Sequence, residues 1–329
     1  MSEPTALLLL PRLQIQNANA ISGPLSWGFP APTAFTGFVH ALERRFSNEL
    51  PEGFGGVGII CHRFEPQVFQ PSGKRTQVFR LTRNPSSELE GGQPKPASIV
   101  EEGRAHLEIS LVIAVRDYMT ESNGNYFAED VLKAVQGMRL AGGSIPPIRN
   151  GKRFAAQWLP FPEDAESQAK EFRILCRRLL PGFALVQRED ALLNRLTELQ
   201  VLNAETNALD ALLDMSRLNI EPDVSSADSE GKYSWNVARK KSGWLVPIPV
   251  GYGALSPLYN PGEVQNTRDN TTPFRFVESL YSLGEWVGPH RLTKLKQLLW
   301  HTQEDVENGI YRCINYYSDV SKTASSGIV

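Results

Sequence analysis

Two apolar segments of the chain have the pattern of β-strands. Residues 6–16, "ALLLLPRLQIQ", begin with an unbroken apolar run, after which Leu13 and Ile15 are separated by polar residues. In residues 104–115, "RAHLEISLVIAV", apolar residues occupy every second position before the segment becomes wholly apolar. A period of two is typical of strands with one buried face. The pattern therefore predicts a strand at each segment, and a further β-prone run, "GVGIICHRFEPQVF", lies between them.

Other segments have the three- and four-residue apolar spacing of helices. Pro32 and Thr33 open a helix whose apolar face includes Phe35 and Leu42, and "YFAEDVLKAVQGM" predicts a second helix. Residues 163–218 are helical and Leu-rich in composition, and residues 221–232 form an acidic polar loop. "GWLVPIPVGYGALSPL" is β-like again, "FRFVESLYSLGEWV" predicts a final helix, and "HRLTKLKQLLW" is amphipathic.

The order of these elements predicts the fold class. Strand, helix, strands, strand and helix, followed by a loop back toward the sheet, is the order of a ferredoxin-like α+β unit with an antiparallel sheet. RNA-recognition domains use the same sandwich. We expect a ferredoxin-like core over residues 1–160 and an acidic helical insertion over 161–232. Residues 233–329 are expected to supply return strands and C-terminal helices that pack on the core.

Composition excludes several classes of protein. The chain has 34 basic and 36 acidic residues, so a nucleic-acid site would have to come from local segregation of charge. Cys61, Cys176 and Cys313 are too widely spaced for a zinc motif or a disulfide framework, which suits a reducing cytoplasm. The run "ALLLL" is too short to span a membrane and lacks the flanks of a signal peptide. We expect a cytoplasmic protein that does not bind membranes.

Positive charge is concentrated in two stretches. Between Cys61 and Asn84 the single acidic residue is Glu65, and phenylalanines lie between the basic residues. Residues 131–162 contain no acidic residue. Basic side chains follow phosphates and interleaved aromatic rings stack on unpaired bases, although core phenylalanines and a solvated strand face would give the same pattern. The basic residues of the two stretches are Arg63, Lys74, Arg75, Arg80, Arg83, Lys133, Arg139, Arg149, Lys152 and Arg153.

The segment Arg139-Leu-Ala-Gly142-Gly143-Ser144 is a second candidate for phosphate contact. It lacks the Gly-Lys-Ser/Thr of a P-loop, and it follows a helix where a dinucleotide fingerprint would open one. The two glycines could end the preceding helix in a left-handed conformation. Alternatively, their missing side chains could allow a phosphate or a ribose close to the backbone, beside Arg139 and Ser144.

Polar residues at the end of the first strand could read bases. Asn17 and Asn19 could bond to base edges and Trp27 could stack, although asparagine is equally common in turns. The histidines have no metal-ligand spacing, and GxSxG is absent. A metal-free ribonuclease could still use one histidine as a general acid or base beside Lys74 or Arg75. Unpaired histidines more often serve structure.

Long blocks of the chain resemble a known family. The blocks include "LLLLPRLQIQNANAISGPLSWGFPAPTAFTGFVHALERR", "GKRTQVFRLTRNP", "GMRLAGGSI", "RRLLPGFALVQRE" and "GWLVPIPVGYGALSPLYNPGEVQNTRD". They resemble the second subunit of Csy-type, type I-F CRISPR surveillance complexes, over nearly the whole chain to about residue 300. This family belongs to the RAMP proteins and is equivalent to the fifth-Cas-type subunit of other systems.

The resemblance implies a non-catalytic subunit with a ferredoxin-like RAMP core. Such a subunit lies at the tail of the complex and binds the 5′ handle of the CRISPR RNA. Its implied partners are the large subunit that recognises the PAM, the adjacent backbone subunit and, indirectly, the target DNA. A dedicated endonuclease processes the guide RNA in these systems, so no catalytic residue, metal or cofactor is expected here.

Carried onto this sequence, the resemblance assigns roles to the candidate residues. Arg139, Gly142, Gly143 and Ser144 are expected to contact handle phosphates. Asn17, Asn19 and Trp27 are expected to contact handle bases. The remaining RNA backbone is assigned to Arg63, Lys74, Arg75, Arg80 and Arg83, with Arg104 and His106 as weaker candidates on the same sheet.

Overall fold

The computed structural model describes residues 3–82, 86–217, 220–226, 231–237 and 243–318. The helices are α1 (Pro32–Arg45), α2 (Glu121–Gln136), α3 (Ala165–Arg178), α4 (Glu189–Leu202) and α5 (Ala208–Ser216). The strands are β1 (Ala6–Asn19), β2 (Ile21–Gly23), β3 (Ser26–Trp27), β4 (Phe54–Pro66), β5 (Val68–Phe69), β6 (Val78–Phe79), β7 (Leu81–Thr82), β8 (Ser87–Glu90), β9 (Gln93–Pro96), β10 (Val100–Glu101), β11 (Arg104–Val115), β12 (Arg139–Leu140), β13 (Gly143–Ser144), β14 (Gln157–Pro160), β15 (Phe183–Gln187), β16 (Ile220–Asp223), β17 (Ser234–Val237), β18 (Trp244–Ala254), β19 (Val277–Val287), β20 (Leu299–Asp305) and β21 (Ile310–Asn315).

The first half of the chain forms four adjacent antiparallel strands in the order β14, β1, β11, β4. β1 and β11 are the two strands that the apolar pattern predicts, and Leu10 lies opposite Leu111 in their register. α1 and α2 cover one face of these strands, where Phe35, Phe127 and Val131 join the main core. Mixed α/β architecture with a large antiparallel sheet is thus confirmed.

Local sequence explains where the covering helices begin. Pro32 stands in the first turn of α1, where its missing N–H costs no hydrogen bond. The Thr120 hydroxyl accepts a hydrogen bond from the Asn123 amide (3.4 Å) at the start of α2. At α3 the Asp164 carboxylate accepts one from the Ser167 amide (2.8 Å). Each capping side chain satisfies an amide that has no partner within its helix.

The opposite face of the same strands is apolar at one end only. α3 packs there, and its Phe172 and Leu175 share a second core with Leu7 and Leu9 of β1 and with Val112 of β11. Toward the other end of β11, polar side chains replace the apolar ones on this face. Arg63, Arg104 and His106 are candidate functional residues that lie at this uncovered polar end.

The second half of the chain extends the sheet from β4. Strand pairing runs from β4 through β15, β19, β18, β21 and β20 and returns to β4, so this part closes on itself. Trp300 is fully buried inside it, and its indole N–H donates to the Leu185 carbonyl (2.8 Å). α4 and α5 pack outside β18 and β19, where Leu192 and Leu212 meet Leu283 in a third core.

Some predicted elements differ from the structure. The helix predicted for "FRFVESLYSLGEWV" is wrong, because Val277–Val287 is strand β19, held between β15 and β18. The amphipathic segment after it consists of two 3-10 turns that lead into β20. The helical region contains strand β15, and the predicted acidic loop begins within β16, which pairs with β17.

Candidate nucleic-acid interface

The alternation of β11 separates the core from an exposed polar surface. Leu107 and Ile109 point toward α1 and α2, whereas His106 and Glu108 point to the opposite face. We call that surface the polar face. Its members on the three central strands are Arg12 and Gln14 of β1, Arg104, His106, Glu108 and Ser110 of β11, and His62 and Arg63 of β4.

Two irregularities in β1 shape the polar face. The register with β11 shifts between Leu10 and Leu13 and again between Ile15 and Ala18. The extra residues include Arg12 and Asn17, which have positive φ angles of 49° and 58°. Their backbone amides turn to side chains of β11: Arg12 donates to the Ser110 hydroxyl (3.0 Å) and Asn17 to Nδ1 of His106 (3.3 Å). Bulges of this kind redirect side chains next to binding sites.

Arginines neutralise the carboxylates near the polar face. Arg12 Nη1 lies 2.6 Å from Glu108 Oε1, and the two side chains are 10% and 18% exposed. Burial opposes ionisation of Glu108, but the hydrogen bond and the charges of Arg12 and of Arg149 outweigh it and lower the pKa of this carboxyl. Arg63 pairs with Glu65 (2.7 Å), and Arg104 pairs with Glu102 (3.3 Å). The paired carboxylates therefore offer little repulsion to a bound anion.

His62 makes two polar contacts on this face. Its two ring nitrogens contact the Ser110 hydroxyl (2.7 Å) and the Pro181 carbonyl (2.6 Å). Burial lowers the pKa of His62, the Pro181 carbonyl opposes that shift, and the charges of Arg12 and Arg153 lower it further. His62 thus acts as a fixed polar contact near neutral pH.

The glycine segment is a tight hairpin on the edge of β1. Arg139 pairs with Ser144, and Ser144 pairs with Gln16 of β1. Leu140 is buried in the main core, so the alternating side chains of Arg139 and Ser144 turn away from that core, to the side of the polar face. α2 has already ended at Gln136, with Gly137 as its cap, so the alternative that the paired glycines end this helix is wrong.

The two glycines of this hairpin have different surroundings. Gly142 has a φ of +72° beside Ala141 at +49°, and a Cβ on Gly142 would meet no atom within 4 Å. A Cβ on Gly143 would lie 2.7 Å from Ile15 Cγ2 and 2.8 Å from the Gln16 carbonyl oxygen. The first glycine makes an open turn, and the second lets β13 approach β1 closely.

The basic residues of the first stretch are distributed over β4 and the hairpin that follows it. Arg63 is exposed on β4, and Lys74 and Arg75 are exposed between β5 and β6. Arg80 is also exposed, and its amide donates to the Gln67 carbonyl (3.3 Å) at the base of this hairpin. Arg83 lies outside the described residues. The hairpin cations have no ion pair among the described residues.

Gln67 joins this hairpin to the polar face. Its Nε2 donates to the Asn17 side-chain oxygen and lies 3.2 Å from His106 Nε2. Its backbone amide donates to the Arg104 carbonyl (2.8 Å). Asn17, His106 and Arg104 therefore form one cluster with Gln67 at the root of the hairpin.

All three residues expected to contact bases have protein partners, and that of the Asn17 side chain is Gln67. The Asn19 side chain bonds to both the amide (3.1 Å) and the carbonyl (2.8 Å) of Ile21. Trp27 is 38% exposed and its ring lies 4.9 Å from that of Phe79 and 6.4 Å from that of Phe64. Trp27 therefore packs against the hairpin of β5 and β6.

Arg12 and Gln67 are site residues that sequence reasoning missed. Arg12 follows Pro11 inside an otherwise apolar strand, and a lone arginine in that context is the signal that could have identified it. Gln67 has no comparable signal. Lys133, from the second basic stretch, instead pairs with Asp130 on α2 (2.9 Å).

The described residues bring no three His, Cys, Asp or Glu side chains together in a way that could hold a metal ion. Cys61, Cys176 and Cys313 are free thiols, and burial raises the pKa of Cys61 to about 12. In the part of the chain that the structure describes, no helix is both long enough and apolar enough to cross a membrane.

Comparison with known proteins identifies the family. Residues 8–313 match the family described as CRISPR-associated protein (Cas_Csy2). The CRISPR-associated protein Csy2 of Pseudomonas aeruginosa (strain UCBPP-PA14) is 53% identical over 319 residues, which cover 95% of this chain and 96% of that protein. A match of this length spans both the polar face and the closed part of the sheet. The chain belongs to the Csy2 family of CRISPR-associated proteins.

Proposed function

We propose that this chain is a non-catalytic subunit of a type I-F CRISPR surveillance complex and that its polar face binds the 5′ handle of the CRISPR RNA. The observation that carries the proposal is the cluster of Asn17, Arg104 and His106 on the polar face, with Arg139 on the hairpin at the edge of β1 and an exposed cationic hairpin beside the cluster. Membership of the Csy2 family supports it independently.

The chemistry of the polar face suits a single-stranded RNA. Arginine and lysine side chains supply affinity through phosphates, while amides and histidine supply hydrogen bonds to base edges and to 2′-hydroxyls. Arg63 (68% exposed) and the hairpin residues Lys74, Arg75 and Arg80 can reach a flexible strand. In the proposed arrangement, Gly142 allows the RNA backbone close to the turn of its hairpin, and Ser144 bonds to a phosphate beside it.

We propose a ferredoxin-like RAMP core for residues 1–160. The strand order β14, β1, β11, β4, with both covering helices on one face, supports this assignment. In the same proposal, residues 161–232 are a helical insertion and residues 233–329 add strands that pack on the core. The open face of such a unit is the side that RNA-recognition domains present to RNA.

We also propose that the chain lies in the cytoplasm and docks on the large PAM-recognising subunit and on the adjacent backbone subunit, with the target DNA contacted indirectly. Exposed apolar side chains on the acidic helices support docking through this region. Leu193 is 52% exposed, and Val201 and Leu202 are each 82% exposed. Apolar surface of this kind is typical of protein interfaces.

Salt-dependent binding tests the RNA assignment. We expect Arg139→Ala and Lys74→Glu, each in the assembled complex, to weaken binding of a labelled RNA carrying the cognate 5′ handle. Each lost phosphate contact should reduce the slope of log K against log salt by about 0.7, the value for single strands. Arg44→Ala is the matched control, because Arg44 is exposed on α1, which covers the other face of the sheet.

Unchanged affinity and unchanged salt slope in both variants would refute the assignment. Incubating the purified protein with repeat RNA in EDTA tests the alternative of a metal-independent endonuclease. Products ending in a cyclic phosphate would favour that alternative. Protein-only assembly that survives nuclease and high salt, without any handle binding, would favour a purely structural bridge.

A further inference from the structure

A cavity lies where the polar face meets the end of α3. It has a volume of about 290 Å³ and is bounded by β1, β11, the last turn of α3 and the segment that leads into β14. Its polar lining consists of Arg12, Ser110, Arg153, Gln157 and Arg178, and its apolar lining of Leu9, Pro11, Leu179 and Leu180. Because Arg12 and Ser110 also belong to the polar face, the cavity is continuous with that surface.

The lining of the cavity is strongly cationic. Three arginines, Arg12, Arg153 and Arg178, line it, and no acidic residue does. Arg178 donates to the Gln157 side-chain oxygen (3.1 Å), which holds its guanidinium at the wall. Glu108 is the nearby carboxylate, and Arg12 already pairs with it. Three arginines around one cavity with so little compensating charge favour an anion, and arginine forks bind phosphate well.

The backbone at Arg12 has an uncommon conformation that serves this arrangement. A left-handed conformation costs an L-residue about 1–2 kcal/mol, and Arg12 adopts it at φ 49° inside a long strand. The bulge places the Arg12 guanidinium against Glu108, and the Arg12 side chain is 10% exposed. Arg12 belongs to the polar face and also lines the cavity. Strained backbone of this kind is concentrated at binding sites.

The size and the apolar wall restrict the ligand. A volume of about 290 Å³ is at the small end of ligand sites, which begin at about 300 Å³. It has room for one nucleotide and not for a stretch of strand. Leu179, Leu180 and Pro11 offer apolar contact to a ribose or a base, while the arginines meet its phosphate.

We infer that this cavity is a subsite for one nucleotide of the bound RNA, splayed out of the strand, with its phosphate held by Arg12, Arg153 and Arg178. The inference rests on the proposed function, because the polar face would deliver the strand to the cavity. Arg153 belongs to the second acid-free stretch of the sequence, and the inference gives that residue a role.

A scan of neutral phosphates tests the subsite in the assembled complex. Handle RNAs that each carry one methylphosphonate are titrated against the wild-type complex and against Arg153→Ala, Arg178→Ala and the double variant. At one position we expect the neutral linkage to weaken wild-type binding about 10-fold, as for loss of a hydrogen bond to a charged group. At that position the double variant should show little further loss, whereas all other positions should weaken both complexes equally.

Arg177→Ala is the matched control. It removes the same side chain from the neighbouring exposed position of α3, outside the cavity lining, and should leave the scan unchanged. Because Arg153 and Arg178 are exposed, we expect each variant to keep the fold. Normal assembly of each variant into the complex checks this.

The possible failures are distinguishable. Wild-type binding of the handle with no position coupled to the two arginines would overturn the subsite and leave the proposed function intact. Weaker RNA-free assembly with the large subunit, together with unchanged RNA affinity, would also overturn it and assign the cavity to an acidic side chain of that partner. A wild-type complex that does not bind the handle would overturn both proposals.

Discussion

Substituting the two glycines of the β12–β13 hairpin separately would show what each does. Gly142 and Gly143 are neighbours, yet only one of them is packed. At Gly143 an added methyl would meet Ile15 Cγ2 at 2.7 Å, the Gln16 carbonyl oxygen at 2.8 Å and the Ala18 amide nitrogen at 2.9 Å. Two of those three atoms are backbone atoms of β1, so the hairpin itself must move.

The structure sets the expected magnitudes. Overpacking a well-packed site costs about 1–3 kcal/mol, and the backbone contacts place Gly143→Ala at the upper end, at about 2–3 kcal/mol. Gly142→Ala meets no atom, but it forces alanine into a left-handed conformation, which costs about 1 kcal/mol. Displacing the hairpin also moves Arg139 and Ser144, so Gly143→Ala should weaken handle binding about 10-fold, as for loss of one charged hydrogen bond.

Denaturant unfolding of each purified variant measures its free energy of unfolding, and RNA titration of the assembled complex measures its affinity for the handle. We expect Gly143→Ala to lower both quantities. A larger loss of affinity for Gly142→Ala, at its smaller cost in stability, would mean that the RNA backbone lies against the turn. Wild-type stability of Gly143→Ala would refute the packing argument altogether.

Two further predictions concern a half-buried carboxylate and a buried amide. The pKa of Glu108 is lowered in the folded state, so this residue stabilises the protein above its unfolded-state pKa, and the contribution is lost as the pH falls through the lower folded value. Glu108→Gln should therefore flatten the loss of unfolding free energy below about pH 4.5, measured by denaturant titration against pH, and an unchanged acid profile would contradict the role of the pair with Arg12. The buried Asn315 side chain accepts from the Gln187 amide (3.2 Å) and donates to the carbonyls of Gln297 (3.0 Å) and Leu299 (2.9 Å). Asn315→Ala should cost about 2–3 kcal/mol of unfolding free energy because these groups lose their partner, and a cost below about 0.5 kcal/mol would show that water replaces it.

The apolar periodicity of the sequence predicted the strands and helices that bury a single face. β1 and β11 have one face in the main core, and α1 and α2 each bury one apolar stripe, so period and capping residues identified them. The helix predicted over β19 was wrong because the burial of this strand is not confined to one face. Leu280 and Leu283 have the spacing of a helix, and Glu285 is buried on the strand, where Arg188 pairs with it. A strand that is buried on both faces loses the alternation by which strands are recognised.

The candidate site was predictable in composition and not in arrangement. The two basic stretches identified Arg75 and Arg139 as cations with no acidic residue near them in sequence, and Arg63 as a cation beside the single acid Glu65. Whether such cations share a face depends on strand register, which a shift of one residue reverses. The sequence alone therefore could not separate Arg139, on the hairpin beside the polar face, from Lys133 on the surface of α2.

By itself, the sequence determined the apolar strands and helices of the first half, the segregation of positive charge and the resemblance to the Csy-type subunit. Tertiary structure decided the two bulges of β1, the return of the sheet to β4 and the cavity beside α3. Bulges and closure arise from pairing between segments that are distant in the chain, and no local pattern encodes that pairing. At Arg12 the backbone accepts a left-handed conformation because Ser110 and Glu108, about a hundred residues away, bind its amide and its guanidinium.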